Sequence, residues 1–340
     1  MCPGKPKALL GRKAVHIPMI VLACACLFVY MFPSNWIAQK VSTTFFFAQI
    51  LAFPFLLGMI ILVYGIASFI VCKVEFRSAL AFTICALWPL AAVAFLLLPN
   101  GLSTSSRVIS PEQTQRVLSV VTFNAGATLY PADFRNLISV YNPDVIVLPE
   151  TSADDVNSAI KAASYKGSVF ATPNGGFTST YNGLIAPTSV VVSERLGPAK
   201  PIIGPATSFG TVAIEFERPG LPTIIGIHAA PPLPGLMNSW KEDLERVVAF
   251  GESYAKPILI AGDFNATLRH GALALRSRLT DAQESCSARQ LGTWNSRFPE
   301  ILRTPIDHIL MSPDLLASSC HTRRIGQSDH LALHAEIAVL

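Results

Sequence analysis

The sequence predicts an α/β domain whose strands are buried between helical layers, preceded by three apolar helices each long enough to cross a bilayer. Three observations carry that prediction. Between residues 117 and 340, short β-rich runs alternate with amphipathic stretches. Charged residues make up only 14% of the 340, against roughly 25% in soluble globular proteins. The deficit is concentrated in the first hundred residues, where 15–33, 43–72 and 79–99 are almost free of charge.

Each of those three runs supplies the roughly 20 apolar residues that a spanning helix needs, and none keeps the polar face expected of a helix in a soluble core. Pro54 falls inside the second run, where a membrane helix tolerates it as a kink. Lys5, Lys7, Arg12 and Lys13 precede the first run, Lys40 alone separates the first from the second, and Lys73 and Arg77 follow the second. The positive-inside rule then places the N-terminus in the cytoplasm and everything after the third span outside, periplasmic or extracellular, as in a multi-pass inner-membrane protein. A cleaved signal peptide is the competing reading of the first run, but two further spans and the lack of a small-residue cleavage site oppose it. Of seven cysteines only Cys286 and Cys320 fall in the outer region, where they are either bonded to each other or free. No CxxC or Cys/His cluster argues for zinc.

The Ser-rich stretch 100–116 reads as a linker, dividing a membrane region at 1–99 from a domain at 117–340. Within that domain VLSVVTF, DVIVLP, TVAIEF, TIIGIHA, PILIAGDF, PIDHILM and LALHAEIAV read as strands. Helices are expected at 132–141, 152–163, 238–254, capped by Asn238 or Ser239, and about 268–277. The domain holds seventeen Lys and Arg against twenty Asp and Glu, so it is mildly acidic. A basic face is the usual footprint of a protein that grips long nucleic acid, so the balance moves weight away from DNA.

Polar residues recur where these apolar strands end, which is where layered α/β proteins expose catalytic groups. Asn124 closes VVTFN and Glu150 ends PDVIVLPE; alone, Glu150 fits a helix N-cap neighbour as well as a metal ligand. His228 follows TIIGI, and LIAGDFNAT offers Asp263 and Asn265 two residues apart, a spacing that puts both on one side of an extended segment. Asp307 lies in TPIDHILMS, and Asp329 and His330 lie in GQSDHLAL.

Asn, Glu, His, GDFN, IDHI and SDH in that order resemble the endonuclease/exonuclease/phosphatase superfamily, across essentially all of 117–340. The resemblance implies a four-layered α/β sandwich, DNase I-like, with the site at one edge of two packed sheets. It implies Mg²⁺, or alternatively Mn²⁺, on Glu150 with Asn124 beside it and Asp329 near the metal. It assigns Asp263 to activating water, Asn265 to holding the water or a phosphate oxygen, His330 to the phosphate with Asp307 fixing its ring, and His228 to a phosphoryl oxygen. Displacement at phosphorus asks independently for such a set: a cation, a positioned water and a donor for the leaving oxygen. One departure stands out. Nucleases of the family often carry an acidic residue two positions after the first Asn, and here that position is Gly126, which favours a single metal.

Three spans before such a domain resemble the bacterial membrane-anchored group that includes VanJ-type glycopeptide-resistance proteins. The expectation is a metal-dependent hydrolase of phosphoester or pyrophosphate bonds, held to the lipid bilayer by its helices and acting on lipid-linked phosphates. An extracytoplasmic nuclease, using Arg269, Arg276 and Arg278 after GDFN to hold nucleic acid, is the alternative; an inactive tethered binding module is a second. A transporter role finds no support, because no charged residue lies deep in a span. Asn182, in the loosely matching stretch 171–194, is a further candidate for the site.

Overall fold

The structure is a computed structural model. It describes residues 28–53, 116–172, 187–286 and 291–340, with isolated positions between 25 and 63, and the chain divides into two compact units, Met1–Leu97 and Leu98–Leu340. In the first unit, α1 (Trp36–Ser42) begins at Asn35, whose side chain accepts a hydrogen bond from the Ile37 backbone N–H, and the Lys40 ammonium lies 5.4 Å from the Trp36 ring centroid. A short helix α2 (Phe47–Ala52) follows, and Val29, Ala38 and Leu51 form a small core.

No helix among the described residues is long and apolar enough to cross a membrane. The expected span 79–99 lies wholly outside the described residues, as do most of 15–33, nearly all of 43–72 beyond residue 60, the flanking cations other than Lys40, and the linker up to residue 115. One expectation is corrected within view. The run 43–72 does not start as a continuous helix: a turn occupies 43–46, and α2 stops at Ala52, with Phe53 (φ -116, ψ 68) out of helical conformation ahead of Pro54. Proline disfavours helical backbone in the residue before it, and the described positions beyond it, Leu56, 58–60 and Val63, are helical again.

The second unit is built on two six-stranded sheets. The first consists of β1 (Arg116–Thr122), β2 (Val145–Leu148), β3 (Gly167–Ala171), β4 (Ser189–Ser193), β11 (Leu315–Arg324) and β12 (Leu331–Val339), in the order β11-β12-β1-β2-β4-β3. The second consists of β5 (Ala199–Pro201), β6 (Thr211–Phe216), β7 (Thr223–His228), β8 (Ile258–Asp263), β9 (Thr280–Asp281) and β10 (Asp307–Met311), in the order β5-β6-β7-β8-β10-β9. Val120, Val147 and Val190 of the first sheet pack against Ile224, Leu259 and Ile309 of the second in one buried cluster. The sheets approach so closely that a methyl group on Gly226 would come 2.5 Å from the Val190 side chain.

Helices cover the two outer faces. On the first sheet, α3 (Pro131–Tyr141) and α4 (Ala153–Ala163) bury Phe134, Leu137, Val156 and Ala159 against Val121, Ile146 and Leu148. On the second, α5 (Met237–Ser253) buries Trp240, Leu244 and Val247, and its Gly251 lies against Ile260. Each fully buried side chain of this size contributes roughly 1.5–3 kcal/mol. With both faces covered, β2, β7, β8 and β10 are buried at every position, which is why they read in the sequence as continuous apolar runs and not as alternations. Helix α3 connects β1 to its parallel neighbour β2, and α5 connects β7 to β8, also parallel.

The expected helices at 132–141, 152–163 and 238–254 are present as α3, α4 and α5, each shifted by a residue at most. Two details differ. Leu236, without a side-chain bond, stands at the N-cap of α5, so Asn238 and Ser239 lie inside the helix. The expected helix at 268–277 is a single 3₁₀ turn, Gly271–Leu275. Short strands β3, β4 and β5 and the long β11 were not expected, and Asn182 lies outside the described residues. Cys286, at the end of α6 (Ala282–Cys286), is bonded to Cys320 of β11, with a Cα separation of 5.8 Å across 34 residues of sequence.

Candidate active site

Strand register assembles the site. In the parallel pair β7/β8, His228 lies beside Asp263; in the antiparallel pair β8/β10, Asp307 lies opposite Asp263. The second sheet thus ends in the row His228, Asp263, Asp307. On the first sheet, Asn124 and Glu150 follow the parallel strands β1 and β2, and His330 immediately precedes β12, which runs antiparallel to β1. All six residues therefore leave their sheets at the same edge.

Hydrogen bonds join the two rows. The Asn124 Nδ2 donates to Glu150 Oε1 and to Asp263 Oδ2, both at 3.0 Å, while its Oδ1 accepts from the Gly126 backbone N–H at 2.9 Å. The His330 Nδ1 lies 2.9 Å from Asp307 Oδ2, and its Nε2 lies 3.7 Å from Asp263 Oδ2. The His228 Nε2 stands 3.6 Å from Glu150 Oε1 and 3.8 Å from Asp263 Oδ2. Ser328 closes the loop: its hydroxyl donates to the Asn124 carbonyl at 2.7 Å and accepts from the His330 backbone N–H at 3.0 Å.

Local backbone conformation explains the motif spellings. Gly262 has φ +148, and a Cβ there would come 1.9 Å from the Ile227 carbonyl oxygen, so only glycine lets β8 lie this close to β7. Asp263 is the last strand residue and Asn265 is left-handed (φ 49), its backbone N–H donating to Asp263 Oδ1 at 2.8 Å. The extended geometry expected for GDFN is thereby corrected: the aspartate bends the chain with its own carboxylate. The Asn265 Nδ2 donates to the Ala229 carbonyl at 3.0 Å, fixing the turn after His228. Glu150 is also left-handed (φ 54), a strained conformation for its residue type.

Burial and mutual charge set the protonation states. Burial pushes the Asp263 carboxyl up to about 6, helped by Asp307 and opposed by His330, His228 and the Asn124 amide. His330 is buried too, yet Asp307 and Asp263 overcome that and hold it protonated, with a pKa of about 10. For His228 burial wins, lowering it to about 4. At neutral pH His228 is a neutral imidazole, Asp263 is ionised and His330 is an imidazolium.

Asp263, Asp307 and His330 offer ligand atoms within 4.8 Å of one another, the one such grouping among the described residues. The resemblance assigns these three to catalysis and not to metal, and the chemistry agrees. An imidazolium already bonded to a carboxylate donates protons and does not ligate a cation. Glu150 fits a hard divalent ion better. Its side chain is 30% exposed, it meets His228 and Asn124 through Oε1, and Asn124 holds that oxygen in place, leaving Oε2 open among the described residues. Of the other residues assigned to the metal, Asn124 serves as the bridge beneath Glu150. Asp329 is not joined to either: its Oδ2 accepts from the Trp294 indole at 2.8 Å.

Two buried acids that support the site escaped the sequence reading. Asp243 of α5 accepts hydrogen bonds from the Ser208 N–H and hydroxyl and from the Ala230 N–H, tying the turn after His228 to the helix. Its signal was an aspartate within the apolar stripe Trp240, Leu244, Val247. Asp281 bonds His308 Nδ1 at 2.9 Å, and His308 Nε2 reaches the Ala266 carbonyl at 2.8 Å beneath the GDFN turn. Two of the three arginines after that turn are committed elsewhere: Arg276 to Glu284 and the Leu273 carbonyl, Arg278 to the Tyr254 carbonyl.

The sequence profile of the Endonuclease/Exonuclease/phosphatase family matches residues 121–330. No curated protein matches the chain significantly. Among solved structures, an endonuclease/exonuclease/phosphatase from Beutenbergia cavernae DSM 12333 is similar, with a TM-score of 0.53 and 18% identity over 66% of this chain and 72% of that one. A D. rerio TDP2 humanized by 14 mutations has a TM-score of 0.51 and 15% identity over 65% and 98%. D. rerio TDP2 complexed with a single-strand DNA product has a TM-score of 0.50 and 17% identity over 65% and 98%. At these identities the likeness is one of fold.

Proposed function

The chain belongs to the endonuclease/exonuclease/phosphatase family, whose members are phosphoester hydrolases and often metal-dependent, and from that premise we propose that it hydrolyses a phosphoester or pyrophosphate bond of a lipid-linked substrate outside the cytoplasm. The observation that carries the chemistry is the single row in which Asn124 bridges Glu150 and Asp263 while His330, bonded to Asp307, faces the same Asp263 oxygen.

In this reading Glu150 would hold Mg²⁺, which would supply positive charge opposite the phosphate oxygens, while Asp329, bonded to Trp294, stays on the cleft side of the site. Asp263, ionised above about pH 6, accepts the proton of the attacking water, and Asn124 fixes the direction of its carboxylate. The His330 imidazolium, oriented by Asp307, donates from Nε2 to a phosphate oxygen as charge builds there. Neutral His228 donates from its Nε2 to a second phosphoryl oxygen, and Asn265 keeps the GDFN turn shaped around the water.

The location rests on separate support. The uncharged runs 15–33, 43–72 and 79–99, with cations on one side, favour three spans and an outer domain, as in VanJ-type proteins. The Cys286–Cys320 bond suits an oxidising compartment. The commitment of Arg276 and Arg278 to internal partners weakens the case for a duplex-gripping surface. The test is to purify the full chain in detergent and assay it with Mg²⁺ against a polyprenyl pyrophosphate, a soluble phosphodiester and plasmid DNA, beside Asp263→Ala. Turnover of the lipid substrate, lost in the variant, is expected. Preference for plasmid DNA would replace the lipid reading with the nuclease, and no turnover of any substrate would sink the hydrolase altogether.

A further inference from the structure

Beside the catalytic row lies a cleft of about 350 Å³, near the small end of the range of roughly 300–1,000 Å³ for ligand pockets. Its wall is continuous with the site. Gly126, two residues after Asn124, lines it, and so do Ser328 and Asp329, which lead into His330. Nothing lies within 4 Å of the position a Gly126 Cβ would take, so the absence of a side chain there leaves the passage from row to cleft open.

The remaining polar lining converges from three loops: Asp133 at the start of α3, Asn295 and Arg297 before β10, and Gln327 between β11 and β12. The Arg297 guanidinium, the Gln327 amide and the Asp133 carboxylate make no side-chain hydrogen bond or ion pair with other described residues. The first two are exposed and free to bind something, and the Asp133 carboxylate rests against Gly326 at the cleft wall. The chemistry of the set narrows what that is. Two carboxylates, Asp133 and Asp329, against one guanidinium repel a second phosphate group. An acyl chain gains nothing from two amides, two carboxylates and a guanidinium, which it would leave desolvated and unpaired. A group bearing several hydroxyls satisfies all of them: carboxylates accept from hydroxyls, a guanidinium donates to them, and primary amides do both.

We infer that this cleft is a polyol subsite, holding the sugar-like, hydroxyl-bearing part of the phosphoester substrate next to the scissile phosphorus. The inference rests on the hydrolase reading and narrows its substrate class. A lipid on the other side of the phosphorus remains compatible with it.

Arg297→Gln combined with Gln327→Ala removes two exposed, unpaired groups and leaves the fold and the catalytic row untouched. With the full chain and Mg²⁺, kcat/KM is measured for glucose 6-phosphate, octyl phosphate and thymidine 5′-phosphate. The wild type is expected to prefer the hexose ester, and the double variant to lose at least tenfold on it through KM while octyl phosphate changes less than twofold. Equal losses on both esters, or a wild-type preference for octyl or thymidine phosphate, overturn the subsite. A second readout needs no turnover: saturation-transfer NMR of glucose 6-phosphate on the Asp263→Asn chain, with and without the cleft substitutions. Saturation of the ring protons only with the intact cleft, in a wild type that hydrolyses nothing, keeps the subsite and rejects the hydrolase. Hydrolysis without discrimination does the reverse, and neither binding nor hydrolysis rejects both.

Discussion

At the scale of single residues, the site is a contest between burial and neighbouring charge. Asp263 is the sharpest case, because its folded pKa of about 6 lies above the ordinary 3.8. Native protein therefore binds that proton more tightly than unfolded chain, and ionising the group costs stability above pH 6, a cost that disappears as pH falls toward 3.8. Asp263→Asn should lower kcat by about 10²–10⁴-fold, the usual range for a general base, yet raise the melting temperature more at pH 8 than at pH 5. Calorimetry of the two proteins at both pH values decides it; a variant less stable at pH 8 contradicts the burial argument. His334 is the complementary case, away from the catalytic row. It stacks on Tyr141 with ring centroids 4.2 Å apart, and its Nε2 lies 3.1 Å from Glu336 Oε1. Burial and His321 lower its pKa to about 4, so the imidazole is neutral and makes no ion pair with Glu336, whose carboxyl burial raises above its ordinary value. A histidine depressed in the native state loses stability as pH drops from 6.5 through 4, because only the unfolded chain takes up the proton. Denaturant midpoints of His334→Gln should accordingly fall less between pH 7 and pH 5 than those of the wild type. An equal fall removes His334 from the acid limb.

Elements carry the site through their registers and their anchors. Asp243 shows this for α5, where one buried carboxylate receives hydrogen bonds from the loop before β6 and from the loop after β7. Asp243→Ala leaves those donors unsatisfied at a cost of about 1–3 kcal/mol each at most, and it loosens the turn that follows His228. Urea unfolding is expected to show a destabilisation of about 2–4 kcal/mol, accompanied by lower kcat/KM; unchanged activity would confine Asp243 to stability. The disulfide makes a different kind of element contact, closing a 34-residue separation between α6 and β11. Chain-entropy arguments give about 3–4 kcal/mol for a loop of that length, so Cys286→Ser should lower stability by that order while sparing kcat, which a melting curve and a rate assay separate. Legibility followed burial. Strands covered on both faces, such as VIVL of β2 and ILIAGD of β8, announced themselves as apolar runs, and the three long helices by their periodicity. Strand β3 is only partly buried and β11 alternates with exposed polar residues such as Ser318 and His321, so neither stood out. The GDFN segment misled because its bend is made by a side-chain bond from Asp263, which two-residue spacing does not reveal.

For the whole molecule, two packed sheets turn scattered strand-end residues into one row, and this is what the sequence conveyed least directly. The order Asn, Glu, His, GDFN, IDHI, SDH named the participants, but their division of labour depends on cross-sheet contacts. Asn124 turned out to bridge Glu150 and Asp263, and Asp329 turned out to face Trp294 and the cleft. Asp243 and Asp281 stayed hidden because a lone acid in a helix or at a strand edge is ordinarily solvated. The same assembly makes a prediction about metal removal. The row carries its own cation, the His330 imidazolium, between Asp263 and Asp307, and the buried cluster joining the sheets involves none of the site residues. A chelator should then abolish turnover while shifting the melting temperature by no more than about 2 °C, the low end of the about 2–4 °C that 1 kcal/mol moves a domain of this size. Readdition of Mg²⁺ should restore the rate without refolding. A chelated protein that unfolds would mean that the ion holds Glu150 and its neighbours together as structure, and a chelated protein that still turns over would leave His330 as the only cation the chemistry uses.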